Sequence, residues 1–336
     1  MEKIILTALL MGLSVSGLHA QKPQIEPTFT EWHDLQTNAV NRFATHTDFF
    51  AFAPNDESAW KRNDRKASTN YLSLDGDWKF NWVEHANQRP TDFFRTDYDD
   101  SQWKTLHVPG IWEMNGYGDP VYVNVGFAWR GNFKNNPPEV PIQDNHVGSY
   151  RRSITIPDNW MGKQVIAHFG SVTSCIYLWV NGKFVGYSED SKIGPEFDIT
   201  KYLKKGKNQL AFQVFRWSDG SYCEDQDFWR FSGIYRDVLL YTKPQQHIED
   251  VAVRAAPLEQ DGYTHGKLDV HLTFGDAAEK HVEILLCDED GDCIWEDEAS
   301  IPATTHAFSG EAACVLLWSA EHPWLYHLMI RVHDAA

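Results

Sequence analysis

Four carboxylates crowd one short stretch of this chain: Asp219, Glu224, Asp225 and Asp227, within RWSDGSYCEDQDFWRFSGIYRD from Arg216 to Asp237. Trp217, Phe228 and Trp229 flank them, and Gly220 and Gly233 loosen the backbone at either side. A pyranose has an apolar C–H face and a rim of hydroxyls, so aromatic planes beside hydrogen-bonding carboxylates make a surface suited to a sugar. The same residues also fit a long acidic loop whose tryptophans plug the edge of a sheet. Chemistry alone leaves both readings open. Other catalytic patterns are missing from the sequence: GxSxG, HExxH, paired CxxC, a Walker loop, or GxGxxG ahead of a helix. The 15 histidines and 47 carboxylates are numerous enough to meet by chance, so they name no acid/base pair by themselves.

The elements that must hold this loop are strands. Short apolar runs, often alternating and separated by Gly, Asn, Asp and Pro, recur at Trp78 to Val83, Ser149 to Ile156, Val165 to Phe169, Ile176 to Val180, Leu210 to Arg216 and Arg236 to Tyr241. Asn181-Gly182 between Val180 and Phe184 predicts a tight hairpin. No long helical period interrupts them, which sets parallel α/β folds aside. After Lys243-Pro244 a second group follows: His247 to Arg254, Lys267 to Phe274, His281 to Cys287, Cys293 to Glu298, Ala312 to Leu317 and Tyr326 to Val332. Their number and spacing suit an immunoglobulin-like sandwich. The expected fold is all-β. Its parts are a leader (1–20), a polar N-terminal arm anchored by scattered aromatics (21–70), a jelly-roll sandwich (71–243) and an immunoglobulin-like sandwich (244–336).

The leader reading rests on Lys3, the apolar run Ile4 to Leu18 and Ala20 before Gln21, the pattern of a cleaved export signal. It predicts a soluble protein of the periplasm or medium, with no later stretch long enough to span a bilayer. The net charge of −17, with no basic stripe, opposes nucleic acid as a partner. Five cysteines are too few for a disulfide scaffold, so packing must hold the fold. Cys287 and Cys293 flank an acidic turn and could face each other across a hairpin, bridged or, more commonly for such pairs, as unpaired neighbours.

The loop Arg216 to Asp237 closely resembles the signature loop of the long β-galactosidases of glycoside hydrolase family 2. So do LDGDWKF (Leu74 to Phe80), VPGIWEMNGYGDPVYVNV (Val108 to Val125) and GYSEDSKIGPEFDIT (Gly186 to Thr200), while LWSAEHPWLYHLMIRV (Leu317 to Val332) resembles the end of the family's first immunoglobulin-like domain. The resemblance runs in family order from about Glu31 to Val332. It implies that Asn124, the Asn of the PxYxN loop, reaches the galactosyl pocket, and that Asp227 contacts galactose and ligates Na+. Glu31, Asp34, Glu189 and Asp219 fall at the ligand positions of a structural Mg2+ site, though Glu31, Asp34 and Glu189 differ in type from the familiar ligands. All four remain oxygen donors suited to a hard cation.

Retaining glycosidases use two glutamates about 5–5.5 Å apart, which in this family stand on a (β/α)₈ barrel of roughly 250 residues. The resemblance puts that barrel after the immunoglobulin-like domain, so no Glu here, Glu224 included, is expected to be catalytic. The chain is then the front of a β-galactosidase, whether a truncated product, a fragment or one part of a split enzyme, and inactive alone. Its partners would be a β-galactoside and the barrel, with oligomerisation left open. The rival expectation is a stand-alone carbohydrate-binding or scaffold protein.

Overall fold

The alternating runs fold as strands, and the computed structural model, which describes residues 26–334 apart from 128, 130–132, 135, 245, 260 and 261, arranges them as two β-sandwiches. The leader read over residues 1–20 lies outside the described residues. In the first sandwich an antiparallel sheet runs in the order Ala39–Val40, Lys183–Glu189, Cys175–Val180, Gly206–Phe215, Val147–Ile156, Gly76–Val83 and Lys104–Val108. It packs on a sheet ordered Glu196–Asp198, Gln164–Phe169, Val238–Lys243 and Tyr71–Ser73.

The central strand Cys175–Val180 is buried at every position, which a strand achieves only when both faces are covered. Ile176, Leu178 and Val180 point between the sheets, into a core shared with Trp78, Phe80, Tyr150 and Phe212. Cys175, Tyr177 and Trp179 point the other way, where the arm supplies Phe29 and Trp32. Trp32 stacks on Phe215 at 5.3 Å and Phe94 lies parallel to Trp179 at 5.0 Å. The arm, with the loops carrying Phe93, Phe94 and Trp129, therefore forms a third, aromatic layer over the larger sheet. Asn181 and Gly182 sit at φ of 51° and 81° between the paired ends Val180 and Lys183, the geometry an Asn-Gly hairpin requires.

The second sandwich stacks the sheet Ile248–Pro257, His265–Phe274, Thr305–Ala313 on the sheet Cys293–Ile301, Lys280–Cys287, His327–Asp334. Val270, Leu272 and Phe308 meet Val282 and Ile284 between them. One expected strand is misplaced: Ala312 to Leu317 is largely loop, and the strand lies at Thr305–Ala313. Its core contacts come from the modest alternation of Phe308 and Ala312, whereas the run Leu316, Leu317, Trp318 is exposed beyond Cys314, whose φ of 58° turns the chain away. Cys287 and Cys293 are register partners across the 288–292 turn, both with free thiols.

Candidate functional site

The two residues with the sharpest expected roles come from loops far apart in sequence, and a two-stranded ribbon brings them together. Val121–Val123 pairs antiparallel with Phe228–Arg230, with Val123 opposite Phe228 and Tyr122 opposite Trp229. Extending this register by one residue puts Asn124 opposite Asp227. Both are exposed at the ribbon's open end. The Tyr122 hydroxyl donates to Asp227 Oδ1 at 2.5 Å, fixing the carboxylate while leaving its second oxygen open. Trp229, 51% exposed, tilts against Tyr122 at 5.5 Å and stacks parallel on Phe231 at 5.9 Å. An open carboxylate, an amide and an exposed indole thus share one edge.

The rest of the acidic loop is structural. Asp225 pairs with Arg230, Glu224 accepts from the Ser191 N–H at 2.7 Å and the Ser191 hydroxyl at 2.5 Å, and Asp219 is buried. Asp227 alone of the four faces solvent. Trp217 is buried against Trp129 at 5.5 Å, and Phe228 lies under the Arg230 guanidinium at 4.6 Å, so neither offers a sugar platform.

Beneath the ribbon lies a polar frame that sequence reasoning missed. Arg230 donates to the Val123 carbonyl at 3.1 Å, tying the two arms. Glu113 accepts the Ser232 N–H at 2.9 Å, and Arg216 donates to the Asp119 carbonyl at 3.1 Å while lying 4.0 Å from Glu113. Burial pushes the Glu113 carboxyl upward. Trp112, fully buried, donates from Nε1 to the Tyr150 hydroxyl at 2.5 Å and from its backbone N–H to the Ser232 carbonyl at 3.0 Å. Motif membership was the only sequence signal for these residues, since nothing in a linear pattern pairs residue 113 with 232.

The expected divalent ligands divide. Glu189 and Asp219 are both buried and electrostatically coupled. Burial first, then the hydrogen bond to and charge of Asp219, raises the Glu189 carboxyl to about 8, and no donor other than Glu189 reaches the buried Asp219 Oδ2. Glu31 is buried near them but already accepts from the Thr28 N–H at 2.7 Å and the Tyr177 hydroxyl at 2.9 Å. Asp34 is half-buried and accepts from the Gln36 N–H and the Thr37 hydroxyl within its own turn. The four do not converge as one ligand cluster; the three-ligand group among the described residues is Glu84, His85 and Asp144, and only the Glu189–Asp219 pair offers neighbouring carboxylates to a hard cation.

An exposed carboxylate, amide and indole on one rim of a β-sandwich are groups that can meet a sugar's hydroxyls and apolar face. Residues 71–244 match the model of the glycosyl hydrolases family 2 sugar binding domain, and the chain belongs to glycoside hydrolase family 2. It is 37% identical over 324 residues to a protein named beta-galactosidase from Priestia megaterium, covering 92% of this chain and 30% of that one. The beta-galactosidase of Halalkalibacterium halodurans is 39% identical over 303 residues, covering 90% and 29%. The chain therefore spans about 30% of the length of these relatives. Among solved structures, a beta-glycosidase from Bacteroides vulgatus superposes with a TM-score of 0.60 at 24% identity, over 79% of this chain and 32% of that one, a likeness of fold. Among the described residues no helix is long and apolar enough to cross a membrane.

Proposed function

We propose that this chain is the non-catalytic front of an exported β-galactosidase that hydrolyses terminal β-D-galactosyl residues with retention. In this reading Asn124 and Asp227 close one side of the galactosyl pocket, and a (β/α)₈ barrel supplies the other walls and both catalytic glutamates. The ribbon carries the proposal, because its register sets the two residues opposite each other although they stand in separate loops. Asn offers hydroxyls both a donor and an acceptor, and the free Asp227 oxygen suits a sodium ion. When bound, that ion supplies a positive centre for a sugar hydroxyl; Asp227 holds its place and Tyr122 orients Asp227. Glu189 and Asp219, with Glu31 beside them, would hold the structural divalent ion. The exposed Leu316, Leu317, Trp318 and Leu325 of the second sandwich supply an apolar face on which the barrel would pack.

The test uses a complete enzyme carrying this front. Asp227→Asn removes an anionic oxygen, so galactoside binding should weaken and activation by sodium should be blunted. Asn124→Ala removes a neutral partner, so sodium dependence should stay near wild type while the galactosyl contact weakens by about 1–3 kcal/mol, read from the ratio of kcat/KM values. Equal loss of sodium dependence in both variants, or no kinetic change in either with the fold intact, would refute these assignments.

A further inference from the structure

Where the arm, the first sandwich and the second meet, the chain forms a half-open cavity of about 200 Å³ that shares no residue with the ribbon site. Residues 43–46 of the arm, Glu196, Lys243, Glu249 and Asp250 line it. Lys243 is 4% exposed, yet among the described residues its ammonium has no hydrogen bond or ion pair; it rests against the rings of Phe49 at 5.3 Å and Tyr241 at 5.7 Å. Glu196 and Glu249 act on it through space, but no oxygen touches it directly, so a ligand in the cavity would complete its shell.

The acceptors divide into used and free. Glu196 is committed: its Oε2 meets His46 Nε2 at 2.9 Å and accepts from the Tyr241 hydroxyl at 2.9 Å, and its Oε1 meets His168 Nδ1 at 3.0 Å. Glu249 meets His247 Nε2 at 3.0 Å, and Asp250 accepts the Thr47 N–H at 3.2 Å, each through one oxygen. The second oxygen of each has no protein partner among the described residues and is open to solvent at the cavity, where a hydroxyl could replace water. Ala44 and Thr45 are exposed and leave an entrance.

Charge and geometry narrow the occupant. Three carboxylates surround one lysine, which disfavours an anion, and His46 and His168 are already turned to Glu196. The carboxylates do not converge as a metal cage does: the three-ligand cluster found among the described residues is Glu84, His85 and Asp144, elsewhere in the chain. A neutral ligand that both accepts and donates answers the remaining needs. We propose that this junction cavity binds a neutral polyol no larger than one sugar ring, with Lys243 donating to its hydroxyls and Glu249 and Asp250 accepting from them.

Titration of the purified chain with D-glucose, and separately with glycerol, followed by backbone amide chemical shifts, tests this. Saturable shifts confined to residues 43–46, 243 and 249–250 are expected for at least one probe, with a dissociation constant of about 1–10 mM. Lys243→Met should weaken binding by about tenfold or more and Glu249→Gln measurably, the latter standing as the test if the former does not fold, while Asp227→Asn should leave it unchanged. Absence of saturable shifts with both probes, binding that survives these cavity substitutions, or equal saturable shifts with sodium sulfate would each overturn the proposal. Loss of binding in Asp227→Asn would instead assign the sugar to the ribbon.

Discussion

Trp112→Ala is expected to destabilise the first sandwich by about 3–5 kcal/mol, the range for truncating a large buried aromatic. Trp112 is completely buried, and its indole packs so closely on the backbone that a Cβ placed on Gly148 would lie 2.4 Å from it. The removed ring leaves a void that Phe80, 6.1 Å away, cannot fill without dragging its strand. It also orphans the Tyr150 hydroxyl, buried with its pKa raised by desolvation. Because Trp112 stands between the ribbon arms and the core, the damage should reach the site: a complete enzyme carrying Trp112→Ala should bind galactosides more weakly at temperatures where it remains folded. Chemical denaturation of the chain and KM of the enzyme check the two halves. A loss below about 1 kcal/mol, the ordinary size of a surface change, would contradict the anchoring role.

The second large effect concerns Glu189. Its folded pKa of about 8 lies far above the usual value near 4.3, so the folded chain keeps a proton that the unfolded chain releases between these values. In metal-free buffer the resulting stabilisation is intact below about pH 4 and drains away as pH rises through 8. The melting temperature of the metal-free chain should therefore fall by on the order of 5 °C between pH 5 and 8 from this group. A divalent cation needs the deprotonated pair, so magnesium should raise the melting temperature at pH 8 and do little at pH 5. Glu189→Gln should flatten the pH dependence and abolish the magnesium effect together. Identical pH profiles for variant and wild type would remove Glu189 from the account.

Much of this was legible from the chain itself. Strands such as Cys175–Val180 and Lys280–Cys287 show in their apolar runs because burial imposes those residues, and Asn181-Gly182 shows because only such a pair tolerates two positive φ angles in a two-residue hairpin. Thr305–Ala313 hid because its inward residues are spaced among Thr, His, Ser and Gly, while exposed Leu316 and Trp318 mimicked a core. Asn124 and Asp227 were found through motifs, but their juxtaposition is a property of the ribbon's register, which no local pattern encodes. The frame of Glu113, Arg216 and Arg230 is invisible to periodicity because buried ionic groups break the hydrophobic pattern rather than extend it. The Lys243 cavity is likewise lined by residues between 43 and 250 that no local pattern brings together.

The central claim is that the first sandwich supplies one wall of a galactosyl pocket and that neither sandwich supplies a catalytic group. The most direct measurement is turnover of a chromogenic β-galactoside by the purified chain alone. No hydrolysis above background is expected, because the family's retaining mechanism is built on a (β/α)₈ barrel and the described residues form two β-sandwiches. Turnover that copurifies with the chain and is abolished by changing one of its own glutamates, Glu224→Gln for example, would contradict it.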